Sequence, residues 1–312
     1  MSLSTSNSRK FVLAMLATSG FVLLLLLALV EIHLRRFAAV DDRRFGQVQS
    51  ELANATAPWA AFGDSHVASG LVSNTWLDNF GQPSDNFEDM VTKIELRLKR
   101  GNLKGIILQA DPQLFAFYRL TANKKNGVAT VVDRSERFTM LQLLYPQHRQ
   151  YLVPMVSTSV RSAIGPGREA PPVIPTKAHS DIDRSSEKWK KDAALRVQLH
   201  TPVSNLNNLD TVRKYTALAN SLLARGLSVC LVNFPVSSDY REISTSSGSF
   251  QQSIAYFKRL SSESGAVLVD ASSMFPDASF SDPDHLASAA AAALTLRLYE
   301  RCGMAGHMER SE

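Results

Sequence analysis

Apolar residues are distributed along this chain in two different ways. From Phe11 to Val30, twenty consecutive positions carry no charge and most are aliphatic. As helix, at about 1.5 Å per residue, they would reach roughly 30 Å, one bilayer crossing. Beyond them the apolar residues come in short runs: Trp59 to Phe62, Gly105 to Ala110, Leu227 to Phe234 and Ala266 to Val269. Each run is rich in small or branched apolar residues and is followed by turn residues, the pattern of strands buried on both faces. Helical spacing alternates with them, over Met90 to Arg100, Thr211 to Arg225, Phe250 to Glu263 and His285 to Arg301. Gly101, Gly226 and Gly265 each follow such a helix and precede a strand, where left-handed C-terminal caps are commonest. The alternation predicts an α/β domain with a doubly wound parallel sheet.

The pattern divides the chain into an N-terminal membrane anchor, residues 1–36, and a domain at 37–312 long enough for one sizeable core. A cleaved signal peptide would have an apolar core of only about 7 to 15 residues, so an uncleaved anchor is favoured. Between Arg134 and Leu209 the strand rhythm lapses. A Pro/Gly segment at 165–175 separates two expected helices, 136–162 and 184–199. This stretch reads as an insertion at about 134–209 bordering the site, or as a mobile surface excursion.

Charge narrows the function classes. The formal net charge is +5, of which the residues flanking the apolar run carry +3, leaving +2 for 37–312. That balance lacks the footprint of a nucleic-acid binder. Arg9 and Lys10 precede the run and Arg35, Arg36, Arg43 and Arg44 follow it, so the positive-inside rule does not by itself place the C-terminal domain outside. Cys230, in an apolar run, and Cys302, near the end of the last helix, read as buried small apolar residues. The sequence does not supply the Cα separation that a disulfide between them requires. His33, His148, His179, His200 and His307 are scattered singly, and neither a phosphate-binding Gly loop nor a Cys/His metal spacing occurs. No metal and no cofactor is expected.

Two short motifs carry chemistry: Gly63-Asp64-Ser65-His66 after the first apolar run, and Asp282-Pro283-Asp284-His285 before the last helix. A serine hydroxyl becomes a nucleophile when a neutral imidazole takes its proton, and the imidazole needs a carboxylate on its other nitrogen. Ser65 is the candidate nucleophile, His285 the base and Asp282 the orienting acid, with Asp284 the competing carboxylate. Asp64 is expected to brace the turn. His66, beside the serine, is expected to point away from the hydroxyl and to pack or touch substrate. Taken singly, each motif also reads as an ordinary helix cap.

Together, in this order and at the two ends of an α/β pattern, the motifs resemble the first and last sequence blocks of the SGNH, or GDSL-type, hydrolase superfamily. The resemblance implies a flavodoxin-like three-layer fold with a Ser65, His285, Asp282 triad. It also implies an oxyanion hole made by the Ser65 N–H, by Ser84 in the second block (Gly81 being the alternative) and by the Gln113 amide in the third, where the family usually has Asn. Gln113, the stretch Leu231 to Val236 followed by Tyr240, and the Asp-Pro-Asp-His-Leu form look most like the membrane-anchored branch. That branch includes proteins that O-acetylate alginate and related exopolysaccharides and one that assists D-alanylation of teichoic acids. The implied protein is an extracytoplasmic (periplasmic) O-acyltransferase held in the inner, or cytoplasmic, membrane by residues 11–30. It would use an acyl donor, a polysaccharide acceptor and a multipass membrane acyltransferase as partner. A carbohydrate esterase would use the same residues. A non-catalytic scaffold of a polysaccharide export machine is the alternative from another class.

Overall fold

The computed structural model describes residues 5–33, 50–52, 54–121, 182–206 and 209–304. Helix α1 (Thr5–His33) belongs to one compact unit and the other described residues to a second. Within α1, Lys10–Leu29 is long and apolar enough to cross a membrane and is exposed along its length, as a segment to be covered by lipid would be. The expected helix 136–162 and the Pro/Gly segment 165–175 lie outside the described residues.

The second unit is built on a five-stranded parallel sheet: β1 (Trp59–Phe62), β2 (Leu77–Asn79), β3 (Gly105–Gln109), β4 (Ser228–Asn233) and β5 (Val267–Asp270), in the order 2-1-3-4-5. This is the flavodoxin-like order, in which the chain reverses direction of winding between β1 and β3 and ligands bind beyond the carboxyl ends of those strands. The helices are α2 (Ser65–Gly70), α3 (Phe87–Leu98), α4 (Phe117–Thr121), α5 (Glu187–His200), α6 (Asp210–Ala224), α7 (Ser238–Thr245), α8 (Gly248–Ser264) and α9 (Ser288–Arg301).

Period-two alternation explains the two-faced core. Ala60, Phe62, Ile106, Leu108 and Leu231 point to one face, against Met90 and Ile94 of α3, Tyr215 and Leu222 of α6, and Phe257 of α8. Trp59, Ala61, Ile107 and Val232 point to the other, against Val67 of α2, Trp189 of α5, and Leu294 and Leu298 of α9. The expected capping glycines hold: Gly101, Gly226 and Gly265 have φ of 73°, 79° and 83°, a conformation that costs a side-chain-bearing residue about 1 kcal/mol or more.

Three departures from the sequence reading affect the site. Strand β2 was not anticipated, because Leu77–Asn79 is short and opens with a single buried apolar residue. The last helix begins at Ser288 and not at His285, because residues before it form an antiparallel hairpin, β6 (Phe280–Asp282) and β7 (His285–Leu286). Pro283 in its turn has no N–H for a helix to use. Cys230 on β4 and Cys302 just after α9 are joined by a disulfide with Cα atoms 5.6 Å apart. They are therefore a staple between sheet and last helix, where the sequence was read as two buried thiols. Both are indeed buried, but Cys230 faces the side of the sheet that α9 covers.

Candidate active site

The site gathers beyond β1 and β3. Gly63 ends the first strand where a Cβ would lie 2.4 Å from Val67 Cγ2 and 2.6 Å from Gln109 Oε1, so only glycine lets the chain turn this tightly. Asp64 then caps α2, its Oδ1 accepting the His66 N–H at 2.8 Å. Ser65 becomes the first helical residue, half-buried. Among the described residues neither its N–H nor its hydroxyl is engaged in a hydrogen bond.

Asp64 does brace the turn. Its N–H donates to Gln109 Oε1 at 2.8 Å, and its Oδ2 accepts from Gln113 Nε2 at 2.9 Å and pairs with the Arg119 guanidinium. Burial pushes this carboxyl up, but Arg119 and His66 outweigh it and hold it below its ordinary value. Gln109 links Asp64 to Asp111, donating to Asp111 Oδ2 at 2.8 Å, while Asp111 Oδ1 accepts the Phe234 N–H at 2.6 Å.

His66 is buried inside this network and not aimed at solvent. Its Nδ1 lies 2.7 Å from Asp111 Oδ2 and its Nε2 3.3 Å from Asp284 Oδ2. Burial opposes its charge, yet the two carboxylates prevail and raise its pKa well above the ordinary value. Asp284 is held low by the same pairing against its own burial. Its Oδ2 also lies 3.5 Å from Arg196 Nη1 and 3.7 Å from His200 Nδ1.

The other histidine of the hairpin is arranged differently. Both oxygens of Asp282 lie 2.9 Å from His285 Nδ1, as the spacing of the motif required, and Asp284 Oδ1 is farther from that atom, at 3.5 Å. His285 Nε2 is buried and makes no hydrogen bond among the described residues. Strand β7 packs on α2, whose first residue is Ser65, and the His285 and His66 rings meet edge to face at 5.4 Å. A groove of about 510 Å³ opens beside Asp282, lined among others by Ser186, Trp189, Asp192 and Ser281.

The three expected oxyanion donors sit in unequal surroundings. The Ser65 N–H is described above. Ser84 is exposed with φ of 70°, the left-handed region that favours glycine. The N–H of Gly81 donates to Asn79 Oδ1 at 2.9 Å, and a Cβ at Gly81 would lie 2.5 Å from the Ala68 nitrogen. Close passage over α2 thus accounts for that glycine. Gln113 is buried; its Nε2 is held by Asp64, and its Oε1 has no hydrogen-bond partner among the described residues. Reversing the amide would set its oxygen against the Asp64 carboxylate, so the orientation is fixed.

His200, which reads in the sequence as a lone histidine, belongs to the cluster. Its Nδ1 lies 3.0 Å from the Tyr240 hydroxyl, and burial pushes its pKa down to about 3. His66, His200 and Asp284 offer three ligand atoms within 4.8 Å of one another, a set that suits a zinc-like cation by type. All three of those groups are already engaged, however: the His66 nitrogens face Asp111 and Asp284, Arg196 approaches the Asp284 carboxylate and Tyr240 approaches His200 Nδ1. A cation would have to share Asp284 with a guanidinium. Residues far apart in sequence, Asp111, Arg119, Arg196 and His200, complete the site, and none of them lies in either short motif.

No family model matches the chain, and no curated protein matches it. A solved structure from Streptococcus pneumonia, of a protein provisionally described as a platelet activating factor, aligns with 11% identity and a TM-score of 0.43. The alignment covers 88% of this chain and 98% of that one. A superposition this loose transfers no chemistry.

Proposed function

We propose that the chain is a membrane-anchored serine O-acyltransferase of the SGNH type, acting outside the cytoplasm on an exported polysaccharide. The single observation that carries the reading is His285: Nδ1 clasped by Asp282, Nε2 buried and unengaged, on a strand packed against the helix that Ser65 begins. This is the polarity a general base needs. Serine–histidine hydrogen bonds are often formed only once substrate is bound.

In the first half-reaction Ser65 Oγ attacks the acyl carbonyl of a donor while its proton passes to His285 Nε2. The tetrahedral oxyanion collapses, the donor's acyl bond breaks, and the leaving oxygen or sulfur takes that proton. An acceptor hydroxyl then gives its proton to His285, attacks the acyl-serine, and Ser65 leaves with the proton restored. The oxyanion is served by the Ser65 N–H, with Ser84 and Gln113 nearest in the family alignment. The glycine-type backbone of Ser84 agrees with that alignment, whereas Gln113 would have to offer its second amide hydrogen. A missing donor costs roughly 100-fold or more. Residues 11–30 supply the anchor, and a multipass membrane protein the acyl groups. The disulfide favours an oxidising, extracytoplasmic compartment.

Hydrolysis is the second reading, because the Asp282 side chain is 38% exposed and the adjoining groove is open to water. The test is turnover of a small activated acetyl ester by the full-length chain in detergent, with and without oligosaccharide acceptors. Ser65→Ala and His285→Ala should each lose at least about 10³-fold. Activity surviving in Ser65→Ala overturns the reading, and acetate release without acetylated product selects the hydrolase.

A further inference from the structure

His285 Nδ1 faces two carboxylates, Asp282 at 2.9 Å and Asp284 at 3.5 Å, while the proposed reaction needs one. Two unscreened negative charges on one imidazole would each favour its protonated form, leaving a poor base near neutral pH. Asp284 must therefore be neutralised from elsewhere. His66 is placed to do so. Its ring bridges Asp284 and Asp111 from the turn that carries Ser65, and it stands edge-on to His285.

We infer that His66 is a positioning residue for the proposed acyl transfer: as an imidazolium clamped between Asp111 and Asp284, it ties the nucleophile's turn to the base's hairpin and cancels the second carboxylate at His285. The inference rests on the reading of Ser65 and His285 as nucleophile and base.

The charged and titratable neighbours leave this role to His66. From the β1 turn come Asp64 and His66, from the β3 exit Asp111, and from α4 Arg119, spent on Asp64, and Tyr118, stacked over His200. From α5 come His200 and Arg196; from α7 Tyr240; from the hairpin Asp282, Asp284 and His285. His200, with its pKa pushed down to about 3 by burial, stays neutral. Arg196 is 39% exposed and lies 3.8 Å from Asp282 as well as 3.5 Å from Asp284, so its screening is shared and hydrated. The raised pKa of His66 agrees with the charged form.

The test is the pH profile of kcat/KM for the activated acetyl ester, in full-length protein and its His66→Gln variant, with Ser65→Ala run beside them. Unmasking Asp284 should move the acid limb up by about one unit, a loss of about 10-fold near neutral pH that is recovered on the alkaline side. Adding Asp284→Asn to His66→Gln should move the limb back. Uniform loss at every pH overturns the inference, and so does an unchanged profile. If His66→Gln does not fold, His66→Asn takes its place: the same rise of the acid limb is expected, and an unmoved limb refutes the clamp. Activity persisting in Ser65→Ala removes the reading on which the inference rests. A dead Ser65→Ala beside a merely lowered His66→Gln profile removes only the clamp.

Discussion

His66 with Asp111 and His285 with Asp282 are the same two side chains at nearly the same distance, 2.7 and 2.9 Å. They differ in what surrounds them. His66 is buried, both ring nitrogens face carboxylates, and Asp111 is bonded in turn to Gln109 and the Phe234 N–H while Asp284 lies 3.5 Å from Arg196. His285 is held on one nitrogen by a carboxylate that water reaches, and its other nitrogen is unengaged. A fully satisfied pair holds structure, whereas a pair with one spare nitrogen can move a proton. On the proposed reading, adjacency to the serine, which His66 has and His285 lacks, does not mark the base; the unoccupied nitrogen does.

The sharpest break of that contrast is Asp282→Asn. It should cost on the order of 10³-fold in kcat by loosening the His285 tautomer and orientation. Thermal stability should hardly move, because the lost contact is partly solvated. A variant that kept near-parental activity would show that Asp284, not Asp282, orients the base. The second test lies behind the hairpin. The disulfide closes a loop of sequence separation 72 and pins α9, the helix that the hairpin enters, to β4. Chain-entropy arguments give such a link about 4 kcal/mol. The Cys230→Ser, Cys302→Ser double variant should lose about that in denaturant unfolding, and reductant should reproduce the loss. Unchanged stability under reduction would mean that burial alone holds the exposed pair's scaffold.

The third test strikes the network around the buried pair, at the Asp64 carboxylate beside it. Arg119→Met leaves the Asp64 carboxylate without its guanidinium inside the protein, and removing one partner of a buried pair costs about 3 kcal/mol or more. Here stability should fall first and activity only in proportion to unfolding. Activity loss without destabilisation would move Arg119 into the chemistry.

How much of this was written in the sequence follows the range of the interactions. Strand runs, helix stripes and the capping glycines are local, so the α/β reading and the flanks of the sheet were legible. The Gly-Asp-Ser and Asp-x-x-His spacings are local as well, and they placed the Asp282 contact to His285 correctly. The hairpin was hidden because Asp-Pro-Asp-His before an Ala-rich run reads equally as a helix start. The disulfide depends on which face Cys230 takes, a matter of register. His66, Asp111, His200 and Arg196 converge through the 2-1-3-4-5 winding alone, and no spacing along the chain records that meeting.

The smallest effects give the most exact discrimination, because His66 and His200 should titrate stability in opposite senses. The folded-state pKa of His66 is raised, so its contribution is complete below the unfolded value near 6.5 and is lost as pH rises through the folded value. The stability difference between the parent and His66→Gln should therefore be flat below about 6.5 and shrink above it by about 1.4 kcal/mol per unit until the folded value is reached. The folded-state pKa of His200 is lowered to about 3. The unfolded chain thus binds a proton that the folded one refuses, and the parent should lose ground to His200→Gln as pH falls from about 6.5 towards 3. Denaturant melts of the three proteins across that range check both slopes. Slopes of the same sign would mean that the two buried rings share one environment, and the distinction between a clamped imidazolium and a neutral spectator would fail.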